Sequence, residues 1–222
     1  MLKVRLRFFD FMSIKNIVFD FGNVIGIYDP VKILEGFSLS DEERELFIKE
    51  IFEDPLWREA DRGCSYRDVL FYDKLKELPE RLRSVFFSSV ARYDFEAAFM
   101  PQSDGIEELI KELKQNGYGI YLLSNIGLGF HILRLKRSIF SLFDGTFATC
   151  DYGMLKPEEE VYEAFLERFS LLPAECIFID DSPENVKAGI NAGMSAFTYN
   201  ALYEDISRLR EKLREYGIKS DS

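Results

Sequence analysis

Residues 175–194 read ECIFIDDSPENVKAGINAGM. The run Cys176-Ile177-Phe178-Ile179 is too short for a helix and is rich in β-branched and aromatic side chains, so it predicts a buried strand. Asp180 and Asp181 close that strand, and residues 184–192 follow as a helix. A buried strand feeding straight into a helix is the repeating unit of parallel sheets that carry helices on both faces.

The same unit recurs in both directions along the chain. Upstream, NIVFDF at 16–21 is a short apolar strand broken by Gly22 and Asn23, with further turn signals at Gly26 and Asp29-Pro30. A helix over 104–115 carries Ile106, Leu109, Ile110 and Leu113 on one face and stops at Asn116-Gly117. YGIYLLSN, ending at Asn125, is a strand, followed by a helix across 129–141 and a short strand near 146–149. Pro157 opens the next helix at a first-turn position with Glu158, Glu159 and Glu160 behind it, which suits the helix dipole. Downstream, SAFTY at 195–199 is the last strand. The final helix aligns Ile206, Leu209, Leu213 and Tyr216 and ends at Gly217. The predicted fold class is α/β: a Rossmann-like parallel sheet flanked by helices.

Residues 31–100 break this alternation. Ser40 with Glu43 forms a capping box before Leu46, Phe47, Ile51 and Phe52, and Ser65 opens a second helix through Val69, Leu70 and Tyr72 to Leu75. A third follows Pro79, with Leu82, Val85, Phe86 and Val90 at helical intervals. The block predicts an inserted all-helical cap over 31–100, with 13–30 and 101–222 as the core. Residues 1–12 alternate Lys3, Arg5 and Arg7 with Leu2, Val4 and Leu6. Met12-Ser13 offers a second start, so 1–12 reads as an appendage.

The 222 residues carry a net charge of −11, which repels a polyanion and argues against nucleic acid as a partner. A small anionic substrate stays open, because a bound divalent cation reverses the local sign. Cys64, Cys150 and Cys176 are widely spaced without a CxxC pair, which argues against a zinc knuckle and for reduced thiols in a cytoplasmic protein. His131 is the single histidine, so a multi-histidine metal site is excluded. No apolar run approaches the ~18 residues of a membrane helix.

In a parallel sheet the ligand site lies at the carboxyl ends of the strands. Asp20, Ser124-Asn125 and Asp180-Asp181 fall at such ends, and Lys156 lies just before the Pro157 helix. Each has a plain alternative: a turn former, a helix N-cap, a surface ion pair. The two adjacent carboxylates repel unless a cation neutralises them, and hard oxygen ligands favour magnesium. Together the four features fit phosphoryl transfer, with a carboxylate nucleophile, a cation and lysine on the oxygens, and a hydroxyl with backbone amides orienting them.

The ordered motifs FDFGNV, LLSN, KPEEEVY and FIDDSPENVKAGINAGM resemble the haloacid dehalogenase superfamily over 16–200, whose members are mostly phosphatases. The resemblance implies a nucleophile at Asp20, which is also a magnesium ligand, and a magnesium-binding backbone carbonyl at Gly22. It implies that Ser124 and the amide of Asn125 hold phosphoryl oxygens and that Lys156 bridges nucleophile and phosphoryl group. Asp181 is then the main further magnesium ligand with Asp180 beside it, and Asn185 is a supporting polar residue. The implied substrate is a small phosphorylated metabolite, sugar phosphates included, and the protein a monomer or homodimer.

Most of these phosphatases carry a second Asp two residues after the nucleophile as the acid–base group. Here that position is Gly22, and DFGNV resembles a subgroup that includes bacterial glucose-1-phosphate phosphatases. Gly22 alone predicts a preference for leaving groups that depart easily as anions, sugar 1-phosphates over 6-phosphates. Asp29 is the nearest later carboxylate, with an Asp-Pro turn as its plainer role. Trp57, Arg58, Arg62 and Tyr66 are candidates to reach the substrate from the cap, against simple helix packing. His131 is expected to pack or cap. Two other readings stay open: a metal-free 2-haloacid dehalogenase, against which the carboxylate pair argues, and a weakly active or inactive member that binds a metabolite or partner.

Overall fold

A computed structural model of the protein describes residues 13–63, 71–92, 98–99 and 102–220. The predicted appendage at 1–12, the helix start at Ser65 with Val69 and Leu70, Tyr66 and Cys64 lie outside the described residues. Five parallel strands form one sheet: β1 (Asn16–Phe19), β2 (Gly119–Ser124), β3 (Gly145–Ala148), β4 (Cys176–Asp180) and β5 (Ser195–Thr198). Their order is β3-β2-β1-β4-β5. Chain direction away from β1 thus reverses between the β2 side and the β4 side, and such a switch point opens a crevice at the carboxyl edge.

Side chains alternate across the strands with period two. Ile17 and Phe19 of β1, with Ile177 and Ile179 of β4, face one core, which holds Leu109, Ile110 and Leu113 of the helix Ile106–Gln115 and Leu209 and Leu213 of the helix Ile206–Glu215. Val18, Cys176 and Phe178 face a second core with Val161, Tyr162 and Phe165 of the helix Glu159–Phe169 and Val186 of the helix Pro183–Asn191. The faces expected from periodicity are buried at Ile106, Leu109, Ile110, Leu113, Leu209 and Leu213, whereas Leu46 and Tyr216, expected on such faces, are exposed. The central strands β1 and β4 are covered on both faces, which is why residues 17–19 and 177–179 are apolar throughout.

Between β1 and Ile106 every described element is helical: Asp41–Phe47, Pro55–Glu59, Tyr72–Glu77 and Glu80–Arg92, with shorter 3₁₀ and π turns. The Ser40–Glu43 capping box is present. Leu34, Phe47, Ile51, Phe71, Leu75, Leu82 and Phe86 form a third core of their own, so this block stabilises itself apart from the sheet.

Two expectations need correction. The helix predicted across 129–141 runs only over Phe130–Lys136; Arg137 is extended, and Ser138–Leu142 is a separate 3₁₀ turn. The break turns Ile139 and Phe140 into the main core, while Arg137 Nη2 donates to the Phe99 carbonyl at 3.1 Å. Pro157 does not open its helix. The Lys156–Pro157 peptide is cis and the helix begins at Glu159, two residues later.

Candidate active site

The backbone register sets the site before any side chain is considered. Phe19 pairs with Leu122 on one side and Ile179 on the other, so Asp20, the end of β2 and the end of β4 arrive at the same level. Asp20 N–H donates to the Ile179 carbonyl at 2.8 Å, tying the two acidic strand ends together.

Lys156 is the centre of the constellation. Its side chain is 1% exposed, and Nζ reaches Asp20 Oδ1 at 2.9 Å and Asp180 Oδ2 at 2.6 Å. A third bond goes to the Leu123 carbonyl at 3.0 Å. Burial works against the ammonium, but Asp180 and Asp20 outweigh it and hold the Lys156 pKa above its ordinary value. Asn125 fixes the lysine from behind: its Oδ1 accepts from Lys156 N–H at 2.8 Å and its Nδ2 donates to the Lys156 carbonyl at 3.0 Å. That side-chain clamp was not legible in the sequence, where only the Asn125 backbone amide had a role.

Asp180 is wholly buried, and besides Lys156 it accepts from Ser182 N–H at 2.8 Å and from Asn185 Nδ2 at 3.0 Å. Of the adjacent pair it is the carboxylate drawn into the interior. Asp181 faces the crevice, accepting from Asn23 Nδ2 at 3.0 Å and Asn200 Nδ2 at 3.4 Å. Asn23 lies in the left-handed region, φ 55°, where asparagine is among the few tolerated side chains. Its Oδ1 accepts from Tyr28 N–H at 3.0 Å, so one residue pins the loop after β1 and orients Asp181. The sequence showed Asn23 only as a strand breaker.

Oxygens of Asp20, Asp180 and Asp181 all lie within 4.8 Å of one another. Three carboxylates are set against one ammonium, a deficit of two charges that one divalent cation cancels. Burial raises the Asp20 carboxyl to about 7; Lys156 offsets part of this and the charge of Asp180 adds to it. Burial likewise raises Asp181, with Asn23 opposing. The donors are all hard oxygens, and the residues present fit magnesium.

A cavity of about 270 Å³ opens over this cluster, at the small end for ligand pockets. Asp20, Gly22, Asn125, Lys156 and Asp181 line it from the sheet. Tyr28, Trp57, Arg58, Asp61 and Phe99 line it from the loop after β1 and from the helical block. Trp57 Nε1 donates to the Tyr28 hydroxyl at 2.8 Å, and Arg58 Nη2 to the Lys156 carbonyl at 2.7 Å.

Ser124 stays beside Asp20, while several other candidates sit elsewhere. Ser124 is buried and hydrogen-bonds Asp20, outside the cavity wall. Arg62 pairs with Glu59 and Glu158 at the rim. Asp29 is outside the wall, and its carboxylate caps the Val31 N–H at 3.0 Å. His131 pairs with Asp151 at 2.8 Å on the surface. Cys150 and Cys176 are free thiols, and no described helix is long and apolar enough to cross a membrane.

Comparison with known proteins places the fold and the family. A family model described as haloacid dehalogenase-like hydrolase matches residues 14–193. The chain is 30% identical to the sesquiterpene phosphatase astK of Aspergillus oryzae, over 82% of this chain and 88% of that one. It is 26% identical to a D-ribitol-5-phosphate phosphatase of Bacteroides thetaiotaomicron, over 83% and 91% of the two chains. Among solved structures, a HAD family enzyme of Bacteroides thetaiotaomicron in complex with magnesium and inorganic phosphate superposes with a TM-score of 0.66 at 23% identity, covering 89% of this chain and 99% of that one.

Proposed function

The chain belongs to the haloacid dehalogenase-like hydrolases, and on that footing we propose that it is a magnesium-dependent phosphatase of small phosphorylated metabolites working through an aspartyl-phosphate on Asp20. The observation that carries the reading is Lys156 Nζ held between Asp20 and Asp180 beneath a cavity that Asp181 also lines. The phosphatase relatives and the magnesium- and phosphate-bound structural neighbour support it.

The site residues divide the work as follows. Asp20 Oδ attacks phosphorus while the bond to the leaving-group oxygen breaks; water then attacks the acyl-phosphate and frees the carboxylate. Lys156 neutralises Asp20 and the phosphoryl oxygens, and Asp180, with Asn185 and Ser182 behind it, fixes the lysine. Ser124 and the Asn125 amide at the end of β2 orient the nucleophile and the phosphoryl group. Asp20, the Gly22 carbonyl and Asp181 would hold the cation, with Asp180 behind them. Bound there, magnesium supplies charge neutralisation for the transferring group.

The helical block is the cap that covers the site, excludes water and meets the leaving group through Trp57 and Phe99, with Tyr28 of the loop after β1 beside them. Arg58 has guanidinium donors beyond the one given to the Lys156 carbonyl, and these suit a sugar or phosphoryl oxygen. The test is phosphate release from a panel of phosphorylated metabolites with magnesium and with excess chelator. Release that needs magnesium is expected. Equal release in chelator contradicts the cation role, and no release from any compound favours a binding protein.

A further inference from the structure

An aspartyl-phosphate enzyme needs a proton for its leaving group, and the loop after β1 offers no carboxyl at the cavity to give it. Gly22 has no side chain, and Asp29 caps a turn outside the cavity wall. Three acidic residues line the cavity: Asp20, Asp181 and Asp61. The first two are committed to attack and to the cation. No histidine or cysteine is among the lining residues, and the Lys156 ammonium is shared among three acceptors.

Asp61 sits on the 3₁₀ turn Ala60–Arg62, directly after the helix Pro55–Glu59 that carries Trp57 and Arg58. This turn is fastened to the sheet side of the cavity. The Asp61 carbonyl accepts from the Thr149 hydroxyl at 3.3 Å, and the same hydroxyl accepts from Ile126 N–H at 3.3 Å. Gly63, at φ 95°, lies so close to the Cys150 carbonyl that a Cβ there would collide with it. Arg62 on one side of Asp61 pairs with Glu158, and Arg58, three residues earlier, bonds the Lys156 carbonyl. Asp61 is therefore held against the catalytic edge by its neighbours.

We propose that Asp61 is the general acid–base group of this phosphatase, replacing the carboxylate missing at Gly22; the inference rests on the phosphatase reading above. As Asp20 Oδ bonds to phosphorus and the ester P–O bond breaks, the Asp61 carboxyl gives its proton to the departing oxygen. In the second half, water bonds to phosphorus, the P–O bond to Asp20 breaks, and the Asp61 carboxylate takes the proton from water. Phosphate leaves, with Asp20 again a carboxylate and Asp61 again an acid. Because Asp61 belongs to the helical block, proton transfer is available only while that block covers the site. The leaving-group discrimination expected from Gly22 alone is then small in the wild type and emerges when Asp61 is removed.

The test compares wild type, Asp61→Asn and Asp61→Glu with magnesium on 4-nitrophenyl, phenyl and benzyl phosphate, similar in shape but with progressively poorer leaving groups. Asp61→Asn should lose ~10²–10³-fold in kcat/KM on benzyl phosphate, within the usual range for general acid catalysis, and less than about threefold on 4-nitrophenyl phosphate. Asp61→Glu should regain part of the benzyl activity. Adding Gly22→Asp to Asp61→Asn should regain it as well, since a Cβ at Gly22 meets only ordinary contacts with Phe99 and Tyr28. Equal losses on all three esters, or no loss on any, would overturn the assignment. A wild type that releases phosphate from none of them fails differently, because it removes the phosphatase reading itself.

Discussion

Replacing Lys156 with methionine keeps the length and roughly the volume of the side chain and deletes its charge. The ammonium has three acceptors, at 2.9, 2.6 and 3.0 Å, and is 1% exposed. Packing changes little, so the cost is the charge left unpaired on Asp20 and Asp180. Removing one partner of a buried pair costs about 3–5 kcal/mol, a large share of the roughly 5–15 kcal/mol that holds a domain together. The sign with pH follows from Asp20. Its folded pKa already lies above the ordinary value through burial, and Lys156 is what opposes the rise. Without the lysine it rises further, so the folded state binds a proton more tightly than the unfolded chain does. Stability is then highest below the unfolded pKa and falls as pH climbs through the folded one. Urea unfolding of the Lys156→Met variant with chelator present should show a larger deficit near pH 8 than near pH 5. A deficit under about 1 kcal/mol near pH 8, where exposed pairs fall, would refute the buried-charge reasoning. So would a deficit that grows toward acid.

The Asn23→Gly change relieves the left-handed backbone and removes the amide that orients Asp181, so magnesium affinity should fall ~10–100-fold while the fold persists. Unchanged affinity in a calorimetric titration would leave Asn23 a loop residue only. Magnesium binding to the wild type should weaken as pH falls through about 7, because the raised carboxyl of Asp20 then holds a proton against the metal. Trp57 is the single tryptophan and lines the cavity, so its fluorescence reports the titration. An affinity flat across that range would mean that Asp20 is not a ligand.

The sheet was legible because strands buried on both faces have no polar positions to obscure them, as in IVF at 17–19 and IFI at 177–179. The acidic edge of the sheet was legible for a related reason: Asp20 and Asp180 interrupt those apolar runs where no solvent explains them. What stayed hidden depends on where the chain returns in space. The Asn125 clamp on Lys156 joins residues 31 positions apart, and nothing local distinguishes it from a helix cap. Asp61 sits in EADRG, which reads as an ordinary helix end until its own contact with Thr149 and that of Gly63 with Cys150 hold the turn beside the crevice. The break at Arg137 likewise comes from the core drawing Ile139 and Phe140 inward, against a helical local pattern.

The central claim is that Asp20 is the nucleophile, and Asp20→Asn tests it most directly. The amide matches the carboxylate in shape and cannot form an acyl-phosphate. Phosphate release from 4-nitrophenyl phosphate with magnesium should fall to background while thermal unfolding stays cooperative and its midpoint does not drop, because an uncharged group relieves the burial penalty that raises the Asp20 carboxyl. Turnover within tenfold of wild type in the purified, folded variant would contradict covalent catalysis at this residue.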